Sequence, residues 1–306
     1  MSVLSTENLC KKYKDIMVVD HVNMHIEEGD IYGFVGENGA GKTTVIRLIT
    51  GLSNVTDGRF SLFGVSSDDK KICNARNKVC GIAETVSIVR NMTALENLRF
   101  QCYVTDNKKT DEELIGLIKK VGLNYDDIKK KKAGNFSLGM RQRLGIALTM
   151  VSDPKFVILD EPMNGLDPEG FVEVRETILK LNQEGVTFLI SSHILSELEK
   201  ICTKVGFISR GKLIEEMSID DLHNRSRSRI AIRAVDNNTL FKLLADNFEG
   251  REIESKNGEV VIYDTSAVNQ IIDLLSQNRI EIKSINVTEG TIEDYYIDLM
   301  KGGRIS

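Results

Sequence analysis

The run Gly36-Glu37-Asn38-Gly39-Ala40-Gly41-Lys42-Thr43 sets three glycines, a lysine and a hydroxyl at the spacing G-x-x-x-x-G-K-T. Glycines let consecutive backbone N–H groups curl around an anion, because no Cβ obstructs the turn or forbids a positive φ. Lys42 adds a full positive charge at the same point, and Thr43 offers a hydroxyl oxygen to a magnesium ion. The chemistry is capture of a phosphate chain, and its expected contacts are Gly36, Glu37, Asn38, Gly39, Ala40, Gly41, Lys42, Thr43 and Thr44. A glycine-rich surface turn would need neither the lysine nor the hydroxyl at fixed offsets. Further along, Phe156-Val157-Ile158-Leu159-Asp160-Glu161 is an apolar run ending in two carboxylates. A buried strand that delivers acids to the C-terminal edge of a sheet has this form, and ligands bind at that edge. Asp160 is expected to hold magnesium, directly or through water, and Glu161 to polarise the water that attacks the terminal phosphate.

These groups need a scaffold, and the periodicities supply one. An apolar stretch at 31–35 precedes the glycine run and an amphipathic one at 44–52 follows it, so a strand feeds the turn and a helix leaves it. Up to about residue 217, strand-sized runs at 31–35, 156–159, 187–191 and 205–208 alternate with helical periodicity, the pattern of an α/β sheet. Between 87 and 150 the strands vanish, and Leu95, Leu98, Leu114, Ile118, Leu144, Ala147 and Leu148 recur at helical spacing, which predicts a helical insertion. Lys129 to Lys132 inside it read as a solvated loop or helix end, without a role. After 217, across the polar junction Ser226-Arg227-Ser228-Arg229, strands are expected at 230–235, weakly at 252–254, at 259–263 and at 280–287. Helices at 239–248 and 268–275 complete a β-α-β-β-α-β order, the ferredoxin-like arrangement, closed by a helix at 291–300 in which Tyr295 and Tyr296 pack. The domains are therefore expected at 1–217 and 218–306.

Composition bounds the setting. The chain has 306 residues and a net charge of −5, so it lacks the positive field that holds nucleic acid, and no nucleic-acid partner is expected. Five cysteines, an odd number without a C-x-x-C pair, and a polar start without an apolar signal core point to a reducing cytoplasm. No apolar run approaches the roughly 20 residues that cross a bilayer, so any membrane role passes through a partner.

Three further segments carry a family resemblance. Asn135-Phe136-Ser137-Leu138-Gly139-Met140-Arg141-Gln142-Arg143-Leu144 resembles the signature sequence of ATP-binding cassette (ABC) ATPases. Asn164-Gly165-Leu166-Asp167, after Glu161-Pro162, is similar to that family's D-loop, and Ser191-Ser192-His193 to its switch histidine. The resemblance implies an α/β P-loop NTPase core of the ABC type with a helical subdomain at about 87–150, plus a small C-terminal α+β domain. It implies an ATPase using ATP and Mg2+, with Lys42, Glu161 and His193 catalytic, Thr43 and Asp160 on the metal, and Tyr13 stacked on adenine. It also implies a head-to-tail homodimer, in which Ser137, Gly139 and Asp167 meet ATP bound by the other copy. Two positions depart from the usual pattern. Glu84 stands where the family usually has glutamine; its carboxylate still reaches magnesium or the attacking water, so it joins the catalytic and metal set. Met140 replaces the signature's final glutamine and removes a side-chain hydrogen bond toward nucleotide. With these departures the chain resembles ATPases of bacitracin- and lantibiotic-type immunity exporters. The expected partner is an integral-membrane permease touching residues 87–97, with the chain peripheral on the inner face of the cell membrane. A soluble cassette acting in translation or repair is the alternative; it is disfavoured by a single phosphate loop and no sustained heptads. A nucleotide sensor without turnover is disfavoured by the presence of Lys42, Asp160, Glu161 and His193 together.

Overall fold

Mostly apolar runs, with polar side chains gathered at the strand ends, build the centre of the first unit. In the computed structural model the strands Ile31–Val35, Phe156–Asp160 and Thr187–Ser192 are buried along their whole length, as parallel strands covered on both faces must be. The structure describes residues 1–82, 87–193, 195–226, 228–248, 250–256, 258–288, 295–297 and 299. The chain divides into two units, Met1–Ile219 and Asp220–Ser306.

The first unit holds a six-stranded sheet in the order Lys212–Ser218, Lys204–Ser209, Ile31–Val35, Thr187–Ser192, Phe156–Asp160, Val79–Ile82. All neighbours are parallel except the edge pair Lys204–Ser209 and Lys212–Ser218, a hairpin. The register levels the strand ends that matter: Val35 pairs with Ser192, and Asp160 with Ser191. The glycine turn, Glu161 and His193 therefore leave the sheet at one edge although they are far apart in sequence. Parallel strands joined by helical crossovers leave their C-terminal ends open to a ligand.

A second sheet in this unit is antiparallel and had no counterpart among the expected strands. Ser2–Tyr13 is its long central strand, pairing with Ile16–Val22, His25–Glu27 and Asp57–Leu62. Register shifts interrupt each of these three pairings, so the burial of Ser2–Tyr13 does not alternate and the period-2 signal is lost. Its inner face packs with the phosphate-turn helix into one core that includes Leu4, Val19, Ile26, Val45, Leu48 and Phe60.

Helices Ala94–Val104, Asp111–Lys120, Tyr125–Ile128 and Leu138–Met150 account for the strand-poor stretch. Two of them start with a complete capping box, Thr93 with Glu96 and Thr110 with Glu113, which satisfies N–H groups the helix itself cannot. Lys129, Lys131 and Lys132 engage Asp126, the Phe136 ring and Glu96 respectively.

The second unit runs Arg229–Ala234, Asn237–Asn247, Ile253–Lys256, Glu259–Ile262, Val268–Gln277 and Ile282–Thr288, which is strand, helix, strand, strand, helix, strand. Its antiparallel sheet has the order Ile253–Lys256, Glu259–Ile262, Arg229–Ala234, Ile282–Thr288. Ile230, Ile232, Val260 and Ile262 meet Leu240, Leu244, Ile271 and Leu275 of the two helices in its core. Of the helix expected at 291–300, the described residues include Tyr295, which is buried; residues 291–294 lie outside them.

Candidate functional site

The glycine turn leaves strand Ile31–Val35 and enters helix Lys42–Thr50. A Cβ on Gly36 would sit 2.4 Å from the Ile208 carbonyl oxygen, so only glycine lets the chain pass the neighbouring strand. Gly41 has φ 110 and would press a Cβ to 2.9 Å from the Val18 carbonyl oxygen. No side chain caps the helix, which leaves its first N–H groups facing the turn. Lys42 is 5% exposed, and its ammonium curls back to donate to the Gly36 carbonyl at 2.6 Å and the Glu37 carbonyl at 3.3 Å. Gly36 and Ala40 are buried, Glu37 to Gly39 form an exposed rim, and Thr43 and Thr44 are half-buried.

The two carboxylates at the end of Phe156–Asp160 turn in different directions. Asp160, 3% exposed, accepts the Thr43 hydroxyl at 2.8 Å on Oδ2 and the Ser191 hydroxyl in a very short bond on Oδ1. Glu161 adopts φ 49, a left-handed conformation that costs a non-glycine residue about 1 kcal/mol. That backbone lets its N–H donate to both the carbonyl and the hydroxyl of Ser191, each at 3.1 Å. Its carboxylate lies between an ammonium and an imidazole: Oε1 is 3.3 Å from Lys42 Nζ, and Oε2 shares a 2.8 Å hydrogen bond with His193 Nδ1. The approach to Lys42 is an ion pair without hydrogen-bond alignment, so Oε1 is buried and lacks a hydrogen-bonding partner. Thr43, Asp160 and this orphaned oxygen are hard oxygen donors at one sheet edge, beside a lysine and open helix N–H groups. The set fits a magnesium ion with a phosphate chain.

Ser137 and Asp167 are N-caps. Ser137, exposed, accepts the Met140 N–H at 3.1 Å at the start of Leu138–Met150, and Asp167 accepts the Gly170 N–H at 2.9 Å at the start of Pro168–Gln183. The two helices touch through small residues, since a Cβ on Gly139 would lie 3.3 Å from the Gly170 Cα. Arg143 locks the pair: it bonds Glu173 at 2.8 Å and the Gly122 carbonyl at 2.7 Å. Burial lowers the proton affinity of its guanidinium, and Glu173 and Glu169 oppose that shift.

Tyr13 ends its strand 43% exposed, its hydroxyl 3.3 Å from Ser53 Oγ and the Lys11 ammonium 4.8 Å from its ring centre. Glu84 lies outside the described residues. The structure thus brings Lys42, Thr43, Asp160, Glu161 and His193 together, while Ser137, Gly139 and Asp167 cap and pair the two other helices. Sequence reasoning gave Ser191 no role of its own, although its hydroxyl joins both acids; the signal was its position two residues before His193. Arg143, which joins the two helices, carries no local signal beyond its place in the signature run.

A family model described as ABC transporter matches residues 19–164. The bacitracin transport ATP-binding protein BcrA of Enterococcus faecalis is 38% identical over 99% of this chain and 98% of its own length. The lantibiotic transport ATP-binding protein SrtF of Streptococcus pyogenes is 39% identical over 72% of this chain and 93% of its own. Among solved structures, a dimeric post-hydrolysis ATP-binding cassette bound to ADP and Pi superposes with a TM-score of 0.62 at 22% identity, covering 71% of this chain and 98% of that one.

Proposed function

Because this chain belongs to the ABC transporter family as an ATP-binding, ATP-hydrolysing subunit, we propose that the turn at 36–43 seats the phosphates of ATP, with Thr44 beside it, and that Thr43 and Asp160 hold magnesium. The observation that carries the reading is the split of two adjacent acids: Asp160 joined to Thr43, and Glu161 to Lys42 and His193. Phosphate oxygens compete with Glu161 for the Lys42 ammonium, which frees Oε1 to take a proton from the attacking water. His193 holds the other carboxylate oxygen and so fixes the direction of the base. A bound magnesium ion supplies Lewis-acid charge to the phosphate oxygens. Glu84 joins the metal and catalytic set through its position in the family pattern alone.

Tyr13, half-exposed with a cation beside its ring, suits stacking on adenine. Ser137, Gly139 and Asp167 would meet the nucleotide of a second copy in a head-to-tail homodimer. The exposure of Ser137 at the helix start supports this, as does the close pairing of the two helices through Gly139 and Arg143. The permease would dock on the segment at 87–97, which Asn97 knits by accepting the Val89 N–H at 2.7 Å and donating to the Thr93 carbonyl at 2.9 Å. Phe100, Tyr103 and Val104 of the following helix are exposed apolar residues that extend this surface. No described helix is long and apolar enough to cross a membrane, which agrees with peripheral attachment through a permease. From the names of its relatives we take the cargo to be a peptide antibiotic of the bacitracin or lantibiotic type. Residues 1–217 would serve as the ATPase domain and 218–306 as a ferredoxin-like accessory domain, a reading its strand order supports.

The test is Glu161→Gln in the full chain. It should retain ATP and elute as a dimer with phosphate release reduced by about 10²–10⁴; wild-type turnover would remove Glu161 from the role of base. Cargo is tested separately, by expressing the chain with its permease and measuring tolerance to bacitracin and to lantibiotics. Unchanged tolerance to both rejects the cargo and leaves the ATPase intact.

A further inference from the structure

Away from the nucleotide edge, an irregularity in the antiparallel sheet gathers three metal-ligating side chains. Strand Ser2–Tyr13 pairs Leu9 with Val22 and Lys11 with Val19, so the single residue Cys10 faces two residues, Asp20 and His21. In a regular strand neighbours such as Asp20 and His21 point to opposite faces; a bulge can turn both to one side. His21 carries the required distortion, with φ 52. Its backbone N–H donates to Cys10 Sγ at 3.3 Å, and its Nδ1 shares a 2.6 Å hydrogen bond with Asp20 Oδ1. The thiol, carboxylate and imidazole ligand atoms all lie within 4.8 Å of one another. Cys10 is buried, Asp20 half-buried and His21 exposed, so the cluster has a dry floor and an open mouth.

From this arrangement we propose that Cys10, Asp20 and His21 form a binding site for a zinc-like divalent cation. Zinc takes thiolate, imidazole and carboxylate ligands at about 2.0–2.3 Å, which sets tetrahedral ligand atoms about 3.5 Å apart, so the three groups must shift by about 1 Å to share an ion. The cation replaces the thiol proton of Cys10, which leaves to solvent, and takes the place between Asp20 and Nδ1 of the neutral His21 ring, whose single N–H then sits on Nε2. Water completes the coordination from the open side. The surroundings favour a cation: His21 lines a cavity of about 470 Å³ with Glu7, Asp57, Asp68 and Arg59, three carboxylates to one guanidinium, and that guanidinium already pairs with Glu7. Lys212, 3.2 Å from Asp20 Oδ2, opposes binding, but it is exposed and sits on the oxygen His21 does not use. Magnesium, which prefers six oxygen ligands, is a poor match for a thiol and an imidazole.

The site is also linked to the phosphate turn. Asp20 N–H donates to the Gly211 carbonyl at 2.8 Å, and Gly211 N–H donates to the Ala40 carbonyl at 2.9 Å. An ion clamping the bulge therefore stiffens the strand that backs the nucleotide loop.

Cobalt(II) is the probe, added to the full chain under a thiol-free reductant. A near-ultraviolet thiolate-to-cobalt band saturating at one equivalent is expected, displaced by Zn2+ and unaffected by Mg2+. Cys10→Ser should abolish the band, His21→Ala should weaken binding by at least about tenfold, and Cys73→Ser, which removes an exposed thiol elsewhere, should leave it unchanged. Absence of the band in the wild type, or its persistence in Cys10→Ser, overturns the site. Saturating Zn2+ should shift nucleotide affinity about fivefold in the wild type and not in Cys10→Ser; no shift, or the same shift in both, overturns the link to the phosphate turn.

Discussion

Removing the Ser191 hydroxyl tests how the two acids are held apart. Ser191 is fully buried; its Oγ donates to Asp160 Oδ1 and accepts the Glu161 N–H at 3.1 Å. In Ser191→Ala the Asp160 carboxylate keeps only the Thr43 hydroxyl, at 2.8 Å, of its two hydroxyl donors. A hydrogen bond to a charged group contributes about 1.5–3 kcal/mol. The Glu161 N–H retains the Ser191 carbonyl as acceptor at 3.1 Å, so that half of the network loses little. Alanine introduces no clash, and the expected destabilisation without nucleotide is about 2 kcal/mol. Freed on one side, Asp160 swings toward Thr43 and away from its metal-holding position, which should lower phosphate release about tenfold, equivalent to about 1.4 kcal/mol of transition-state stabilisation. Chemical unfolding of wild type, Ser191→Ala, Asp160→Asn and the double variant closes a cycle that isolates the bond. A loss below about 0.5 kcal/mol, or single effects that simply add in the double variant, would refute the reasoning.

Lys42→Ala should weaken ATP binding at least about a hundredfold, since a buried ammonium facing the phosphates is lost; equal affinity in a nucleotide titration would count against the phosphate seat. Gly36→Ala should keep the fold yet impair ATP binding, because the new methyl would lie 2.4 Å from the Ile208 carbonyl oxygen and push the turn away; circular dichroism and nucleotide titration separate the two effects. The Glu96 carboxyl is held below its ordinary value of 4.5, first by the Thr93 N–H and then by Lys132. A lowered folded-state value means its stabilisation is complete above pH 4.5 and lost as pH falls through the folded value. The start of helix Ala94–Val104 should therefore weaken in acid, and Glu96→Gln should flatten that part of the pH dependence of unfolding.

How far the sequence could be read follows the range of the interactions involved. The glycine turn was legible because its chemistry lies within eight consecutive residues, 36–43, flanked by a strand and a helix whose periods are themselves local. The strands at 31–35, 156–160 and 187–192 were legible because burial on both faces demands runs that are apolar in their middle. Strand Ser2–Tyr13 was not, because bulges in its pairings scramble the alternation that would have announced it.

Residue types and their spacing by themselves determined that a glycine turn with a lysine and a hydroxyl would follow a strand at Gly36 to Thr43, that acids would end a buried strand, and that a histidine would follow another. Which of those acids faces which partner was decided in three dimensions. The register of Asp160 on Ser191 and of Val35 on Ser192, with the positive φ of Glu161, sends one carboxylate to Thr43 and the other to Lys42 and His193. The same holds for the bulge that turns Asp20 and His21 toward Cys10. Strand register and backbone handedness arise from contacts between distant segments, and no local pattern along the chain encodes them.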